Sequence, residues 1–135
     1  GVHSPGIERR RYLVRCAPLR ALLARSRTDT RGMKSCNLGF WRDDLVRLNG
    51  FDESMTGWGR EDGELAHRAF HAGLVRRDLR FGAVAVHLWH PTAAPVGHNP
   101  NDAIEANTVA RRLTRCEVGL DGHRRRETPA DLRAR

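Results

Sequence analysis

The clearest periodicity in the chain lies at residues 61–72, where Leu65, Ala66, Ala69 and Phe70 share one stripe at helical spacing. Glu64, His67, Arg68 and His71 fall off that stripe, so the pattern predicts an amphipathic helix with those four on its polar side. Glu61 and Asp62 open it, acids suited to the positive end of a helix dipole, and Gly73 supplies the stop. A shorter helix is predicted over residues 42–48, with Asp43 and Asp44 in its first turn and Asn49-Gly50 as a left-handed end. Before it, the mostly apolar run SCNLGFW at 35–41 predicts a strand. Residues 79–87 (LRFGAVAVH) are apolar on both parities except Arg80, the pattern of a strand covered on both faces as in an α/β sheet. A loop with Pro91, Pro95, Gly97 and Pro100 follows, then a helix over residues 102–115.

The two ends are less ordered in pattern. Leu13, Leu19, Leu22 and Leu23 recur near helical spacing within residues 8–26, but Pro18 is expected to break that segment into two short pieces. The final DGHRRRETPADLRAR has the composition of a disordered tail. With 135 residues, the chain has the length of one domain or part of one. No apolar run approaches the roughly 18 residues of a membrane span, and no signal peptide is visible, so a soluble chain is expected.

Charge changes the picture little. The formal net charge is +8, carried almost wholly by arginine, with Lys34 the one lysine. Neither the triple arginine at 124–126 nor the pair Arg111 and Arg112 is interleaved with aromatics, so solvated charge is favoured over a nucleic-acid grip. Cys16, Cys36 and Cys116 are odd in number and widely spaced, without a Cys-x-x-Cys. That argues against a disulfide framework or zinc finger and favours small buried apolar roles in a reducing cytoplasm.

The chemistry concentrates in GWGRED at residues 57–62. Gly57 and Gly59 permit backbone angles closed to other residues, and Trp58 between them offers a flat apolar face of the kind that stacks on a sugar ring. A carboxylate fixed beside such a platform could accept a hydrogen bond from a sugar hydroxyl and take its proton. The plainer reading makes Glu61 and Asp62 simple partners of the helix dipole. His87, at the end of the expected strand, suits either a core histidine or a metal ligand at a sheet's C-terminal edge. His90, three residues on in HLWHP, is a rival ligand, and Trp89 between them suits a core plug.

The ordered run SCNLGFWRDDLVRLNGFDESMTGWGREDGELAHRAFHAG, followed by an apolar strand and HLWHP, resembles the C-terminal half of inverting GT-A glycosyltransferases. It is similar to the galactosyltransferase C-terminal region and to bacterial family-2 sugar transferases of the chondroitin-polymerase kind, over about residues 33–91. The resemblance implies an α/β fold, the acceptor-side part of a GT-A-like nucleotide-diphospho-sugar transferase, incomplete by itself. Residues 33–116 would form the acceptor- and metal-binding region, with residues 1–32 a helical or linker segment and residues 117–135 a basic tail.

The resemblance places WGRED at 58–62 on the family's W-G-G-E-D segment, with Trp58, Gly59, Glu61 and Asp62 as acceptor contacts and Asp62 as catalytic base. Arg60 stands where the family usually has a second glycine. His87, with His90 as the alternative, falls on the histidine that binds Mn2+ or another divalent cation in the company of an Asp-x-Asp. The implied reaction is inverting transfer of a hexosyl or N-acetylhexosaminyl group from a nucleotide sugar to a glycan or glycolipid acceptor. No Asp-x-Asp occurs in the 135 residues, so the donor half is expected elsewhere and the isolated chain is expected to be inactive. A cytoplasmic location is expected, with peripheral attachment to the inner membrane face as an option. The rivals are a carbohydrate-binding fragment without chemistry and a basic nucleic-acid-binding protein.

Overall fold

The computed structural model describes residues 15–79, 81–83 and 99–124. They belong to two compact units, the first drawn from Gly1–Arg27 and Val75–Ala93, the second from Thr28–Leu74 and Ala94–Arg135. No helix among the described residues is long and apolar enough to cross a membrane.

In the first unit, helix α1 spans Ala17–Leu23 and has no buried residue. Pro18 sits in its first turn, where the missing N–H would be unpaired in any case, so proline starts this helix rather than breaking it. Strands β1 (Ser26–Arg27) and β2 (Arg76–Arg77) pair antiparallel, Ser26 opposite Arg77 and Arg27 opposite Arg76. Asp78 lies against both Arg76 (3.0 Å) and Arg27 (3.9 Å). The expected strand at 79–87 is not seen where it is described: the N–H of Gly82 donates to the carbonyl of Leu79 (2.9 Å), and Phe81 turns left-handed at φ 60°. Residues 80 and 84–87 of it lie outside the described residues.

The second unit is helical. Residues 35–41 form a 3-10 turn at Ser35–Asn37 rather than a strand, closed by the Asn37 N–H on the Lys34 carbonyl (2.9 Å). Small polar residues at both ends of that turn compete locally for backbone partners, and the apolar remainder is used differently: Phe40 packs on the core. Helix α2 spans Arg42–Arg47 and ends at Asn49-Gly50, both left-handed at φ 69° and 71°, where the Gly50 N–H reaches back to the Leu45 carbonyl (2.9 Å). Helix α3 spans Glu61–His71 and closes in the same way, with Gly73 at φ 83° and the Leu74 N–H on the Ala69 carbonyl (2.9 Å). Helix α4 spans Asn101–Arg111 and packs on α3. It stops short of the expected residue 115 because Arg112 turns left-handed (φ 51°). Helix α5 spans Leu120–Arg124, so the beginning of the expected tail is ordered. The Leu120 N–H donates to the Asn49 carbonyl (2.9 Å) and the Asp121 N–H to the Asn49 side chain (2.8 Å).

Leu48, Leu65 and Ala69 are buried together, with Phe40, Leu45, Ala72 and Leu74 packed around them. Glu64 and Arg68, which the periodicity puts on the polar side of α3, are instead fully buried. They meet as an i,i+4 bidentate pair, Arg68 Nε on Glu64 Oε1 and Nη2 on Oε2, both at 2.7 Å. Arg68 also donates to the carbonyls of Leu48 (2.6 Å) and Gly50 (2.9 Å), and the Thr108 hydroxyl donates to Glu64 Oε1 (2.9 Å). A charge this deep is tolerated only when fully matched, and here the match spans α2, α3 and α4. Cys16, Cys36 and Cys116 are all free; only Cys116 is buried, while Cys36 is exposed. Burial pushes the Cys116 thiol up, against the opposing pull of Arg68.

Removing one partner of the buried pair strands the other. Arg68→Met is expected to cost about 3–5 kcal/mol of folding stability in denaturant titration, and Glu64→Gln, which keeps an acceptor, less. A loss of under about 1 kcal/mol for Arg68→Met would contradict the role given to the pair.

Candidate functional site

The turn at 57–60 is built from backbone that side chains rarely adopt. Gly57 (φ 78°), Gly59 (φ 100°) and Arg60 (φ 76°) are all left-handed, so the chain coils tightly and pushes out Trp58, whose residue surface is 68% exposed. Arg60 is the N-cap of α3, a position usually extended in backbone, and its carbonyl accepts the first helical bond, from the Glu64 N–H (2.9 Å). The turn therefore delivers the chain directly into α3, with Glu61, Asp62 and Glu64 in the helix's first turn.

Asp62 is half-buried and held at both oxygens. Oδ1 accepts the N–H of Gly63 (2.8 Å), and Oδ2 accepts the N–H of Ser35 (3.2 Å), which comes from the 3-10 turn far back in sequence. Each oxygen retains a lone pair that can accept a further hydrogen bond. Glu61 stands beside it, half-buried. Trp58 and Gly59 lie in the turn, and Glu61 and Asp62 in the first turn of α3 that follows it. His87 and His90, the expected metal ligands, and Trp89 lie outside the described residues.

Sequence reasoning missed what grips the turn from the other side. Arg60 Nε donates to Asp102 Oδ1 (2.6 Å) and lies 3.7 Å from Glu105, both on α4. The Asp102 carboxylate raises the Arg60 pKa. Asn99 Nδ2 donates to the Trp58 carbonyl (2.9 Å), and Asn101 Nδ2 to the carbonyls of Thr56 (3.1 Å) and Gly59 (2.9 Å). Gly63 leaves room for the Glu105 side chain between α3 and α4, and His67 approaches the same carboxylate at 3.6 Å. The signal for these ties was the run Asn99-Pro100-Asn101-Asp102, turn chemistry at a helix start.

Residues 21–88, half of the chain, match the family described as the N-terminal domain of galactosyltransferase. The chain belongs to this glycosyltransferase family. It is 32% identical over 113 residues to chondroitin sulfate synthase 3 of Homo sapiens, an alignment covering 71% of this chain and 13% of that protein. It is 37% identical over 65 residues to chondroitin sulfate N-acetylgalactosaminyltransferase 1 of Mus musculus, covering 38% of this chain and 12% of the relative. The chain thus spans 13% or less of the length of these relatives. No solved structure matches. The family match contains the turn at 57–62 but not α4.

The left-handed angle at Arg60 separates backbone from side-chain effects in the turn. Arg60→Gly relieves the conformational restriction while removing exposed ion pairs of small worth, and Arg60→Val removes the pairs and adds a β-branched residue where one is strained. Thermal unfolding should give a clearly lower Tm for the valine variant than for the glycine variant. Equal values would show that the strained angle is not what the sequence must satisfy here.

Proposed function

We propose that this chain carries the acceptor side of an inverting, GT-A-like glycosyltransferase, equivalent to the C-terminal half of such an enzyme, with Asp62 as catalytic base. The observation that carries the reading is the pairing of an exposed Trp58 with an Asp62 carboxylate fixed by the Ser35 and Gly63 N–H groups, one turn apart in a family of glycosyltransferases. Trp58 gives the acceptor sugar an apolar face to stack on, and Glu61 accepts a hydrogen bond from a neighbouring hydroxyl. The acceptor oxygen attacks the anomeric carbon of a nucleotide sugar from the face opposite the leaving group. The bond from that carbon to the diphosphate oxygen breaks, and the hydroxyl proton passes to Asp62. One displacement inverts the anomeric centre.

The relatives' names, a chondroitin sulfate synthase and a chondroitin sulfate N-acetylgalactosaminyltransferase, support N-acetylhexosaminyl transfer with a glycan as acceptor. A divalent cation such as Mn2+ would neutralise the diphosphate as it leaves. Its expected ligand, His87 or alternatively His90, lies outside the described residues, and among the described residues no group of three or more His, Cys, Asp or Glu is placed to hold a metal. The 135 residues contain no Asp-x-Asp, which supports a second reading in which the chain by itself binds glycan without transferring sugar.

Asp62→Asn, assayed in a polypeptide that also carries a donor half, keeps the shape of the site and removes the proton acceptor. Transfer should fall about 10²–10⁴-fold with the fold intact. A rate within a few-fold of the parent would move the role of base to Glu61.

A further inference from the structure

We infer that Asn99 and Asn101, at the start of α4, are positioning residues for the acceptor turn, setting the conformation in which Trp58 and Asp62 are presented. The turn cannot hold itself. Among the described residues, 56–59 make no backbone–backbone hydrogen bond across the turn, and three of its four succeeding angles, at 57, 59 and 60, are left-handed. The carbonyls of residues 56, 58 and 59 and the Thr56 N–H are taken up by two side chains instead.

Asn101 is 1% exposed, and its carboxamide is spent on the turn: Nδ2 donates to the carbonyls of Thr56 (3.1 Å) and Gly59 (2.9 Å), and Oδ1 accepts the Thr56 N–H (3.2 Å). Asn99 takes the carbonyl between them, donating from Nδ2 to Trp58 (2.9 Å), while its Oδ1 accepts the Asn101 N–H (3.0 Å) and so fixes its own orientation. A carboxamide is the group that can donate twice and accept at once from a single planar end, as the Thr56–Gly59 geometry requires. The next residue, Arg60, is held by Asp102 of the same helix. Asn99 and the first turn of α4 therefore grip residues 56, 58, 59 and 60, from outside the family match at 21–88.

Opening the turn would leave the buried Asn101 carboxamide without partners, which binds the angles of Gly57 and Gly59 to the placement of α4. Preorganising Trp58 in this way lowers the cost of ordering it when a ligand binds. The functional half of the inference rests on the acceptor reading above; the conformational half does not.

The test is NMR on the 15N-labelled 135-residue chain, parent against Asn101→Ala and Asn99→Ala, with chondroitin hexasaccharide as the probe. Asn101→Ala should speed exchange of the Thr56 amide about tenfold or more while the Leu65 and Ala69 amides stay slow, since local opening is read separately from global unfolding. Asn99→Ala, which removes a less buried bond and spares the fold, should lower the heteronuclear NOE of the Trp58 indole. Both variants should bind the probe about 3–10-fold more weakly than the parent, the cost of ordering a loosened turn. Thr56 exchange within twofold of the parent, or an unchanged Trp58 indole in Asn99→Ala, would overturn the clamp. A loosened turn with unchanged probe affinity would overturn its positioning role. Should Asn101→Ala fail to fold, the Trp58 indole in Asn99→Ala decides. A parent that does not bind the probe sinks the acceptor reading, and the exchange data then decide the clamp alone.

Discussion

The buried Glu64–Arg68 pair is the contact on which the helical unit depends. Among the described residues the buried apolar cluster is Leu48, Leu65 and Ala69 with partly buried neighbours around it, so apolar burial is modest, and the charged pair reaches backbone that these side chains do not. Arg68 holds the carbonyls where α2 ends, at Leu48 and Gly50, and Glu64 receives Thr108 from the middle of α4. Such a pair adds little net stability over a well-packed apolar alternative, but it fixes geometry, because every donor has one acceptor it must meet. Once α4 is fixed on α3 at Thr108, its first turn is placed to reach the chain that leads into α3.

That dependence carries over to the candidate site. The turn at 57–60 has no ladder and no core of its own, and the carbonyls of Trp58 and Gly59 find their partners on Asn99 and Asn101, at the start of α4. Asp62 is steadied independently, by the Ser35 N–H from the 3-10 turn. The backbone at the exposed tryptophan and the fixed carboxylate are thus held by different parts of the unit, one by Asn99 at the start of α4 and one by the segment before α2. In the function proposed above, this arrangement would keep a stacking face and a proton acceptor at constant separation while a sugar comes and goes.

The helix ends were legible because their chemistry is local. Asn49-Gly50 and Gly73 stop α2 and α3 where glycine and asparagine permit left-handed angles, and acids open both helices. Glu64 and Arg68 were read as surface charge because periodicity weighs each residue alone, and a charge becomes buriable only through partners distant in sequence. The Asn99 and Asn101 ties escaped for the same reason, since they cross more than forty residues to reach Thr56 and Trp58. At 35–41 the apolar run suits a strand by composition, but short runs cannot be assigned that way, and here one aromatic, Phe40, packs on the core while its neighbour Trp41 is 83% exposed. Pro18 misled because proline breaks a helix in its interior but suits its first turn.

In the proposed function a glycan acceptor sits on the turn at 57–62. The unit also has a cavity elsewhere, about 570 Å³ and lined by Asn49, Glu53, Cys116 and His123 among others, which offers a rival location. Photo-crosslinking with a diazirine-bearing chondroitin oligosaccharide, followed by peptide mapping, separates the two. The account predicts label on the peptide containing Trp58, Glu61 and Asp62, competed away by unlabelled oligosaccharide. Competable label confined to residues 115–123 would contradict it.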